Sequence, residues 1–269
     1  VDWYMSPFLA PNQKNTFRSR EKNDILPENN RNVNLIPQIL TNKAEEFIKG
    51  ARYLKEYGYG EVNLNLGCPS RTVTSKHRGA GFLAVPEELD RFLDEIFEKA
   101  EVEISIKTRI GKDSGEEFAH LMEIYNQYPL KELIIHPRVQ KDFYRNTPNL
   151  DVFAQGLAQC RCQVCYNGDL KTVTDVEEFR KRFPAVERIM IGRGLLANPG
   201  LVGELQGKEP VDKQKLRSFH DRIYRDYQGL LFGEKNVLFK MKELWSYLIE
   251  SFEDAQKEAK KIRKAQRLS

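Results

Sequence analysis

The sequence predicts an α/β fold: a (β/α)8 barrel of the TIM type followed by a small all-α domain. Short β-rich segments alternate with amphipathic helical segments from residue 1 to about 205, and such alternation indicates a parallel sheet with crossover helices. Polar side chains end nearly every predicted strand. This distribution favours a barrel, which gathers all its strand ends around one mouth, over an open doubly wound sheet, which concentrates function at one switch point.

The elements of the barrel follow from short apolar runs and from helical periodicity. The predicted strands are residues 3–8, 34–40, 61–66, 103–108, 133–136, 163–166 and 188–191. The predicted helices include residues 43–57, 86–100, 115–127 and 174–182. Closure of such a barrel requires eight strands and seven are predicted. Either the barrel is open or, as we expect, a first βα unit is absent from this sequence.

Two domains are predicted, residues 1–210 and residues 211–269. The strand signal stops after Pro210, and three predicted helices follow, at residues 212–232, 235–250 and 253–267. Residues 1–210 hold 29 Lys and Arg against 30 Asp and Glu, whereas residues 211–269 hold 14 against 9. The positive excess therefore lies in the helical domain, which indicates a polyanionic partner, although a Lys-rich run can also be a solvated helix face.

Composition and cysteine usage limit the class of protein. Hydrophobic residues make up 40% and charged residues 30%, no apolar run approaches the roughly 18 residues of a membrane span, and the amino terminus has no signal-peptide layout. The four cysteines form no regular disulfide framework, so we expect a cytoplasmic protein without membrane association. Cys160, Cys162 and Cys165 lack a fourth ligand for zinc, so no metal site is predicted.

The sharpest local signal is the segment Asn63-Leu-Asn-Leu-Gly-Cys68-Pro69. The strand ends at Leu66, Gly67 allows the backbone to turn, and Cys68 follows at the predicted barrel mouth. A free cysteine is more often inert and buried, but a position between a strand end and a loop shaped by Gly and Pro favours a reactive one. The cationic loop at residues 71–81 could close over a phosphate or lie in solvent.

Two neighbouring strand ends each present a base or a cation followed by an arginine. Lys107 and Arg109 lie two residues apart and share one face of their strand, and His136 with Arg138 repeats the arrangement one strand later. A barrel lysine can form a Schiff base, hold an anion, stabilise a reduced cofactor or form a salt bridge at the rim. The residues alone leave these roles open.

Glycine-rich turns end the last two predicted strands. They are Asn167-Gly168-Asp169 and Gly192-Arg193-Gly194. Turns of this kind before a helix leave backbone N–H groups available to a phosphate, and TIM barrels commonly bind phosphate after strands seven and eight. The two turns together predict a phosphate site.

Taken together, these motifs resemble the tRNA-dihydrouridine synthase family. The matching segments, in that family's order and at similar spacing, are Asn65-Leu-Gly-Cys68-Pro69, Lys107-Thr-Arg109-Ile-Gly111, His136-Pro-Arg138, Asn167-Gly168-Asp169 and Gly192-Arg193-Gly194 followed by Ala197-Asn198-Pro199. Related flavin barrels share single motifs, but the ordered set is specific and covers nearly the whole chain. Two departures are the lack of a match to the family's Ala-Pro-Met segment and the His136-Pro-Arg138-Val139 variant.

The resemblance implies an enzyme that uses FMN and NADPH to reduce the C5–C6 bond of a uridine in tRNA. Cys68 would be the general acid that protonates C5, and the reduced flavin would deliver hydride to C6. Gln38 and Lys107 would face the pyrimidine end of the flavin. The residues implied to hold the ribityl chain and phosphate are His136, Asn167, Asp169, Gly192 and Arg193. The residues implied to bind the target base and its nucleotide are Asn65, Arg109 and Arg138.

Three other functions stay open at this point. A flavin barrel acting on a free pyrimidine, like dihydroorotate or dihydropyrimidine dehydrogenase, would not need the basic helical domain. A non-catalytic tRNA-binding relative would lack flavin absorbance. A Schiff-base aldolase would use Lys107 covalently. The sequence gives no oligomeric state and does not specify which tRNA uridine is modified.

Overall fold

The computed structural model describes residues 1–11 and 17–267 of the 269-residue chain. The chain divides into two compact units. The first unit comprises Val1–Gly168 and Ala185–Met190, and the second comprises Asp169–Pro184 and Ile191–Ser269. The segments that follow the last two strands thus belong with the carboxy-terminal helices. A domain boundary at residue 210 stays a prediction.

The first unit contains a parallel sheet whose strands follow the order of the sequence. Its strands are β1 (Tyr4–Leu9), β2 (Leu35–Ile39), β3 (Glu61–Leu66), β4 (Glu103–Arg109), β5 (Glu132–His136), β6 (Gln163–Asn167) and β7 (Arg188–Met190). Each strand pairs in parallel with the next along the chain. All seven lie within one residue of their predicted bounds at each end. A doubly wound sheet would reverse its strand order at a switch point, so the barrel-type α/β fold is confirmed.

Helices connect the strands of the first unit. They are α1 (Ser19–Ile25), α2 (Ala44–Glu56), α3 (Arg71–Thr74), α4 (Pro86–Lys99), α5 (Glu117–Tyr125) and α6 (Leu150–Gln159). Helix α4 shows why they form: Pro86 opens its first turn, Glu87 and Glu88 stabilise the amino terminus, and Lys99 stabilises the carboxyl terminus. Apolar residues at helical spacing bury one face of α4 against the sheet and its neighbours. These residues are Leu89, Phe92, Leu93 and Ile96.

The strands alternate between an aliphatic outer face and a polar inner face. On β3, Val62, Leu64 and Leu66 are inaccessible to solvent, while Asn63 and Asn65 point to the other side and bond polar groups of neighbouring strands. The sheet is curled, so that its first and last strands come close together. The Arg188 guanidinium at the start of β7 lies 4.6 Å from the centre of the Trp3 ring, which directly precedes β1. The polar inner face therefore lines a nearly closed bowl.

The second unit is helical. Its helices are α7 (Val173–Arg182), α8 (Arg193–Ala197), α9 (Leu201–Leu205), α10 (Lys213–Leu230), α11 (Glu234–Leu248) and α12 (Gln256–Lys264). Val237, Met241 and Leu244 of α11 form its core with side chains of α10. The three helices predicted after residue 211 are confirmed to within three residues at each end. None of the helices in the described part of the chain is both long and apolar enough to cross a bilayer.

Candidate active site

A chain of amide side chains crosses the inner face of β2 and β3. Gln38 Nε2 donates to Asn63 Oδ1 at 2.8 Å, and Gln38 Oε1 accepts from Asn65 Nδ2 at 2.6 Å. Asn63 Nδ2 in turn donates to Ser105 Oγ on β4 at 3.0 Å. All four side chains are buried. Because a buried polar group needs a partner, this network fixes the orientation of the Gln38 amide.

Asn65 also shapes the loop that carries Cys68. Its Oδ1 accepts from the backbone N–H groups of Gly67 at 3.1 Å and of Cys68 at 2.9 Å. On the far side of the loop, the Cys68 carbonyl accepts from the Ala80 N–H at 3.0 Å. A Cβ on Gly79, whose φ is +55°, would lie 2.8 Å from that carbonyl oxygen. The loop thus holds a partly exposed, free Cys68 thiol in a defined place.

Arg109 bridges the loop that carries Cys68 and the loop after β5 through hydrogen bonds. Its Nε donates to the Gly67 carbonyl at 2.9 Å, its Nη1 to Val139 at 2.9 Å and its Nη2 to Phe143 at 2.5 Å. The Tyr144 ring covers the guanidinium, with 5.5 Å between Cζ and the ring centre. Burial lowers the pKa of Arg109 to about 10, so the group stays charged at neutral pH. Its donors hold backbone carbonyls, and its role in binding a substrate stays a prediction.

His136 and Arg138 form a second buried pair at the end of β5. Arg138 Nη1 lies 2.9 Å from His136 Nε2. Arginine only donates, so His136 accepts through Nε2 and its neutral ring carries the proton on Nδ1. Arg138 also donates to the carbonyls of Arg145 at 2.9 Å and Asn146 at 2.6 Å. This arrangement fixes both the tautomer of His136 and the course of the loop at residues 139–146.

Lys107 is a cation on the inner face of β4. Strand register places it opposite Asn65 of β3 and Ile134 of β5. Within residues 1–11 and 17–267, no carboxylate or hydrogen-bond acceptor contacts its ammonium. Burial, and then the positive charge of Arg109, lowers the pKa of Lys107 to about 8. An anionic ligand, such as a reduced cofactor, would stabilise an ammonium held this way.

The residues predicted to bind phosphate are divided between the two units. Asn167, at the end of β6 in the first unit, donates through Nδ2 to the Met190 carbonyl at 2.9 Å. In the second unit, Arg193 Nη2 donates to Asp169 Oδ1 at 2.6 Å. A Cβ built on Gly192 would meet no other atom within 4 Å. Asp169 and Arg193 therefore form an ion pair beside an open stretch of backbone.

The first unit brings most of the predicted site residues to the carboxyl ends of its strands. These residues are Gln38, Asn65, Cys68, Lys107, Arg109, His136, Arg138 and Asn167. Asn63 and Tyr144 were not among the predicted residues. The period-two alternation of β3 would have placed Asn63 on the face of Asn65, whereas no pattern indicates that Tyr144 covers Arg109. The described residues contain no group of three or more His, Cys, Asp or Glu side chains that could hold a metal ion.

A comparison of the whole chain with family models identifies its family. The model of the family described as Dihydrouridine synthase (Dus) matches residues 4–267. The chain belongs to the dihydrouridine synthase family. This confirms the resemblance of the ordered motifs.

Two curated relatives in this dihydrouridine synthase family show how much of the chain aligns. tRNA-dihydrouridine synthase B of Pasteurella multocida is 27% identical over 58% of this chain and 47% of its own length. The tRNA-dihydrouridine(20/20a) synthase of Shewanella oneidensis is 28% identical over 68% of this chain and 58% of its own length. The chain thus spans about half the length of the curated relatives it matches.

Solved structures share the fold of this chain. The old yellow enzyme homologue of Zymomonas mobilis has a TM-score of 0.55 at 11% identity, covering 78% of this chain and 80% of its own. Histamine dehydrogenase of Rhizobium sp. 4-9 has a TM-score of 0.55 at 12% identity, covering 76% of this chain and 41% of its own. At such identity the likeness concerns the fold, and it supports the barrel architecture of this dihydrouridine synthase family member.

Proposed function

We propose that this member of the dihydrouridine synthase family reduces the C5–C6 bond of a uridine in tRNA, with FMN as cofactor and NADPH as electron source. One observation carries the proposal. The Lys107 ammonium has no anionic partner in the described chain, and it lies close enough to Cys68 for their charges to interact. Lys107 and Cys68 lie at neighbouring strand ends on the inner face of the sheet. They suit a reduction in which a cation stabilises developing negative charge and an acid supplies a proton.

The donor set of the bowl fits a flavin. An oriented amide at Gln38 and the ammonium of Lys107 would hold the polar pyrimidine end, which carries carbonyl and N–H groups. His136, Asn167, Asp169, Gly192 and Arg193 would together hold the ribityl chain and the phosphate, with Arg193 and the Gly192 backbone offering donors to the phosphate. A bound flavin would supply the hydride chemistry that no protein side chain provides. Lys107 would stabilise negative charge electrostatically, without a covalent bond.

Cys68 would supply the proton that the reduction requires at C5 of uracil. A thiol is a competent acid near neutral pH, and the S–H bond breaks as the C5–H bond forms. The two backbone hydrogen bonds to Asn65 and the Arg109 bond to the Gly67 carbonyl keep the thiol in place. Bulk water would then return a proton to the thiolate.

Asn65, Arg109 and Arg138 are proposed to act on the target nucleotide. Three of the five N–H groups of Arg109 already donate to backbone carbonyls, and both arginines are 1% exposed. Direct contact with a base would therefore require the loop at residues 139–146 to move. In the observed conformation these arginines would help the reaction by holding the loops around Cys68 and His136.

The helical second unit would contact the tRNA backbone. Five basic side chains of α12 are exposed, and in the described chain none of them forms an ion pair with a carboxylate. They are Lys257, Lys260, Lys261, Arg263 and Lys264. Cations of this kind bind phosphates by releasing counterions. The target uridine lies inside folded RNA, so it would have to flip out of its stack to be reduced.

The test is the conversion of unmodified tRNA transcript by the purified chain with FMN and NADPH. We expect one uridine to gain the mass of two hydrogens, and the Cys68→Ala variant to bind FMN without forming this product. Reduction of free uracil or orotate with no reaction on tRNA would instead identify a free-pyrimidine reductase. Failure to bind any flavin would identify a non-catalytic tRNA-binding relative. Trapping of a substrate on Lys107 by borohydride would identify a Schiff-base enzyme.

A further inference from the structure

Two thiols outside the candidate active site face each other in the first unit. Cys160 directly follows α6 and Cys162 directly precedes β6, and their Sγ atoms are 3.5 Å apart. Both are free and partly exposed. They lie at the amino-terminal end of β6, whereas Asn167 lies at its carboxyl end, roughly 16 Å away at about 3.3 Å per residue. The pair is therefore separate from the Cys68 site.

The Asn126 side chain holds the backbone around the two thiols through two hydrogen bonds. Asn126, at the end of α5, accepts from the Arg161 N–H through Oδ1 at 3.1 Å. The same side chain donates through Nδ2 to the Gln159 carbonyl at 2.9 Å. The residue between the two cysteines and the residue before them are thus held by one amide. The two sulfur atoms are presented together by a fixed segment of chain.

The two partly exposed cysteines lie beside a cavity. An open cavity of about 400 Å³ is lined by Cys160 and Cys162 together with Leu157, Val164 and Glu187. A pair of thiols with only a packing role would not require such an opening. Cys165, three residues further along, is buried instead, and burial raises the pKa of its thiol.

We infer that Cys160 and Cys162 form a redox-active dithiol, a modification site at which a small-molecule disulfide is reduced while the two cysteines are oxidised to an intramolecular disulfide. The Cys160 thiolate attacks one sulfur of the reagent, forming a mixed disulfide and releasing one thiolate. Cys162 loses its proton to solvent and attacks Cys160 Sγ, which expels the second thiolate. Two protein thiols thereby lose two electrons and two protons, and the reagent becomes two thiols.

The hydrogen bond between the two thiols assigns their roles. The hydrogen bond with the neighbouring Cys162 thiol lowers the pKa of Cys160. The same bond, followed by burial, raises the pKa of Cys162. A thiolate is the nucleophile in disulfide exchange. Cys160 is therefore the attacking thiol, and Cys162 is the thiol that closes the disulfide.

The full chain in a Cys68→Ser background, which removes the other partly exposed thiol, can be treated with oxidised glutathione and analysed by intact mass and peptide mapping. We expect the chain to lose the mass of two hydrogens, to retain no glutathione and to yield a peptide linked between Cys160 and Cys162. Adding Cys162→Ser should leave one stable glutathionyl group on Cys160. Cys160 should react at least about tenfold faster than the buried Cys165.

Three results would overturn the inference. They are a persistent glutathionyl group on Cys160 while Cys162 is intact, reaction of Cys160 no faster than that of Cys165, and absence of any modification at Cys160. Peptide mapping of the wild-type chain gives the same readout without any substitution, so a folding defect of a variant cannot decide the result. The outcome does not depend on whether the chain reduces uridine.

Discussion

Lys107 combines partial burial with a positive charge that no carboxylate of the described chain neutralises. Its ordinary pKa of 10.5 falls to about 8, because burial and the charge of Arg109 disfavour the ammonium. The folded chain therefore bears a cost for keeping this lysine charged at neutral pH. Such a cost at a strand end is typical of a residue retained for a ligand rather than for stability.

The first prediction concerns the stability of a Lys107→Met variant without ligand. At pH 7 both folded and unfolded wild type carry the charged lysine, so removing it should raise the free energy of unfolding by about 3 kcal/mol. Between pH 8 and 10.5 folded wild type gives up its proton first, so the advantage of the variant should shrink and disappear near pH 10.5. Chemical denaturation of both proteins across this range measures the difference.

A matched control for this prediction is Lys76→Met, because Lys76 is exposed. It should change the free energy of unfolding by no more than about 0.5 kcal/mol at any pH in the series. A Lys107→Met variant that is no more stable than wild type at pH 7 would contradict the burial cost assigned to Lys107.

The second prediction concerns Arg109→Lys. Lysine keeps the charge but cannot reach three carbonyls at once, so carbonyls of Gly67, Val139 and Phe143 would lose donors. We expect a loss of about 2–4 kcal/mol of stability, together with a changed rate of Cys68 alkylation under conditions where the chain stays folded. Denaturation and a timed alkylation assay with peptide mapping measure the two effects.

Arg91→Lys is the control for Arg109→Lys, because Arg91 is exposed on α4 and donates to one carbonyl of its own helix. It should leave both stability and the alkylation of Cys68 unchanged. If Arg109→Lys alters stability but not the reactivity of Cys68, then Arg109 supports the fold without positioning the thiol.

At the scale of elements, the loop after β3 decides where Cys68 lies. Gly79 approaches the Cys68 carbonyl so closely that a Cβ would come within 2.8 Å of it. Gly58 also has a positive φ, of +91°, but nothing within 4 Å of a built Cβ. Substituting each glycine therefore distinguishes two effects: backbone strain, which both positions have, and a steric contact with the Cys68 carbonyl, which only Gly79 has.

The third prediction compares Gly79→Ala with Gly58→Ala by their free energies of unfolding. Both variants should lose about 1–2 kcal/mol to the left-handed backbone conformation. Gly79→Ala should lose at least about 1 kcal/mol more, since its methyl group displaces the Cys68 carbonyl. Equal losses in the two variants would mean that the loop can relax without moving Cys68.

The strands were predictable because period-two alternation and burial act locally. The bounds of β3 agree with the prediction at both ends, and the pairing of Asn65 with Lys107 and of Arg109 with His136 puts the polar strand ends together. The inner-face positions of Gln38 and Lys107 follow from that register. The side chains that a strand end presents on the inner face can thus be inferred from pattern alone.

The loops were less predictable, because their interactions depend on chain segments far apart in sequence. The binding of a nucleotide by Arg109 and Arg138 stays a prediction, but no sequence pattern indicated that they bond carbonyls of the loop at residues 139–146. Phe143 has a φ of +53°, a conformation that no local sequence rule assigns to phenylalanine. The conformation of this loop depends on the buried arginine donors to which its carbonyls bond.

For the whole molecule, the distribution of charge yields the fourth prediction. Replacing Lys260 and Lys261 of α12 with glutamine should weaken tRNA binding at low salt. The slope of log affinity against log salt should fall by about 0.9 for each phosphate that the variant no longer neutralises. Binding titrations at several salt concentrations measure both quantities.

The matched control replaces two lysines of α2, Lys49 and Lys55, with glutamine. These side chains are exposed and already form ion pairs with Glu45 and Glu101. We expect the control to keep the wild-type salt slope. If the α12 variant keeps it as well, then the basic face of α12 is solvated and does not bind the tRNA.

The central claim is that the inner face of this sheet holds a flavin beside Cys68, and the visible absorbance spectrum of the purified chain during titration with FMN tests it most directly. We predict a blue-region band that shifts from that of free FMN on saturable binding. Lys107→Met should weaken this binding by about tenfold or more, because a charge-assisted hydrogen bond is removed. A spectrum that stays identical to that of free FMN at every protein concentration would contradict the account.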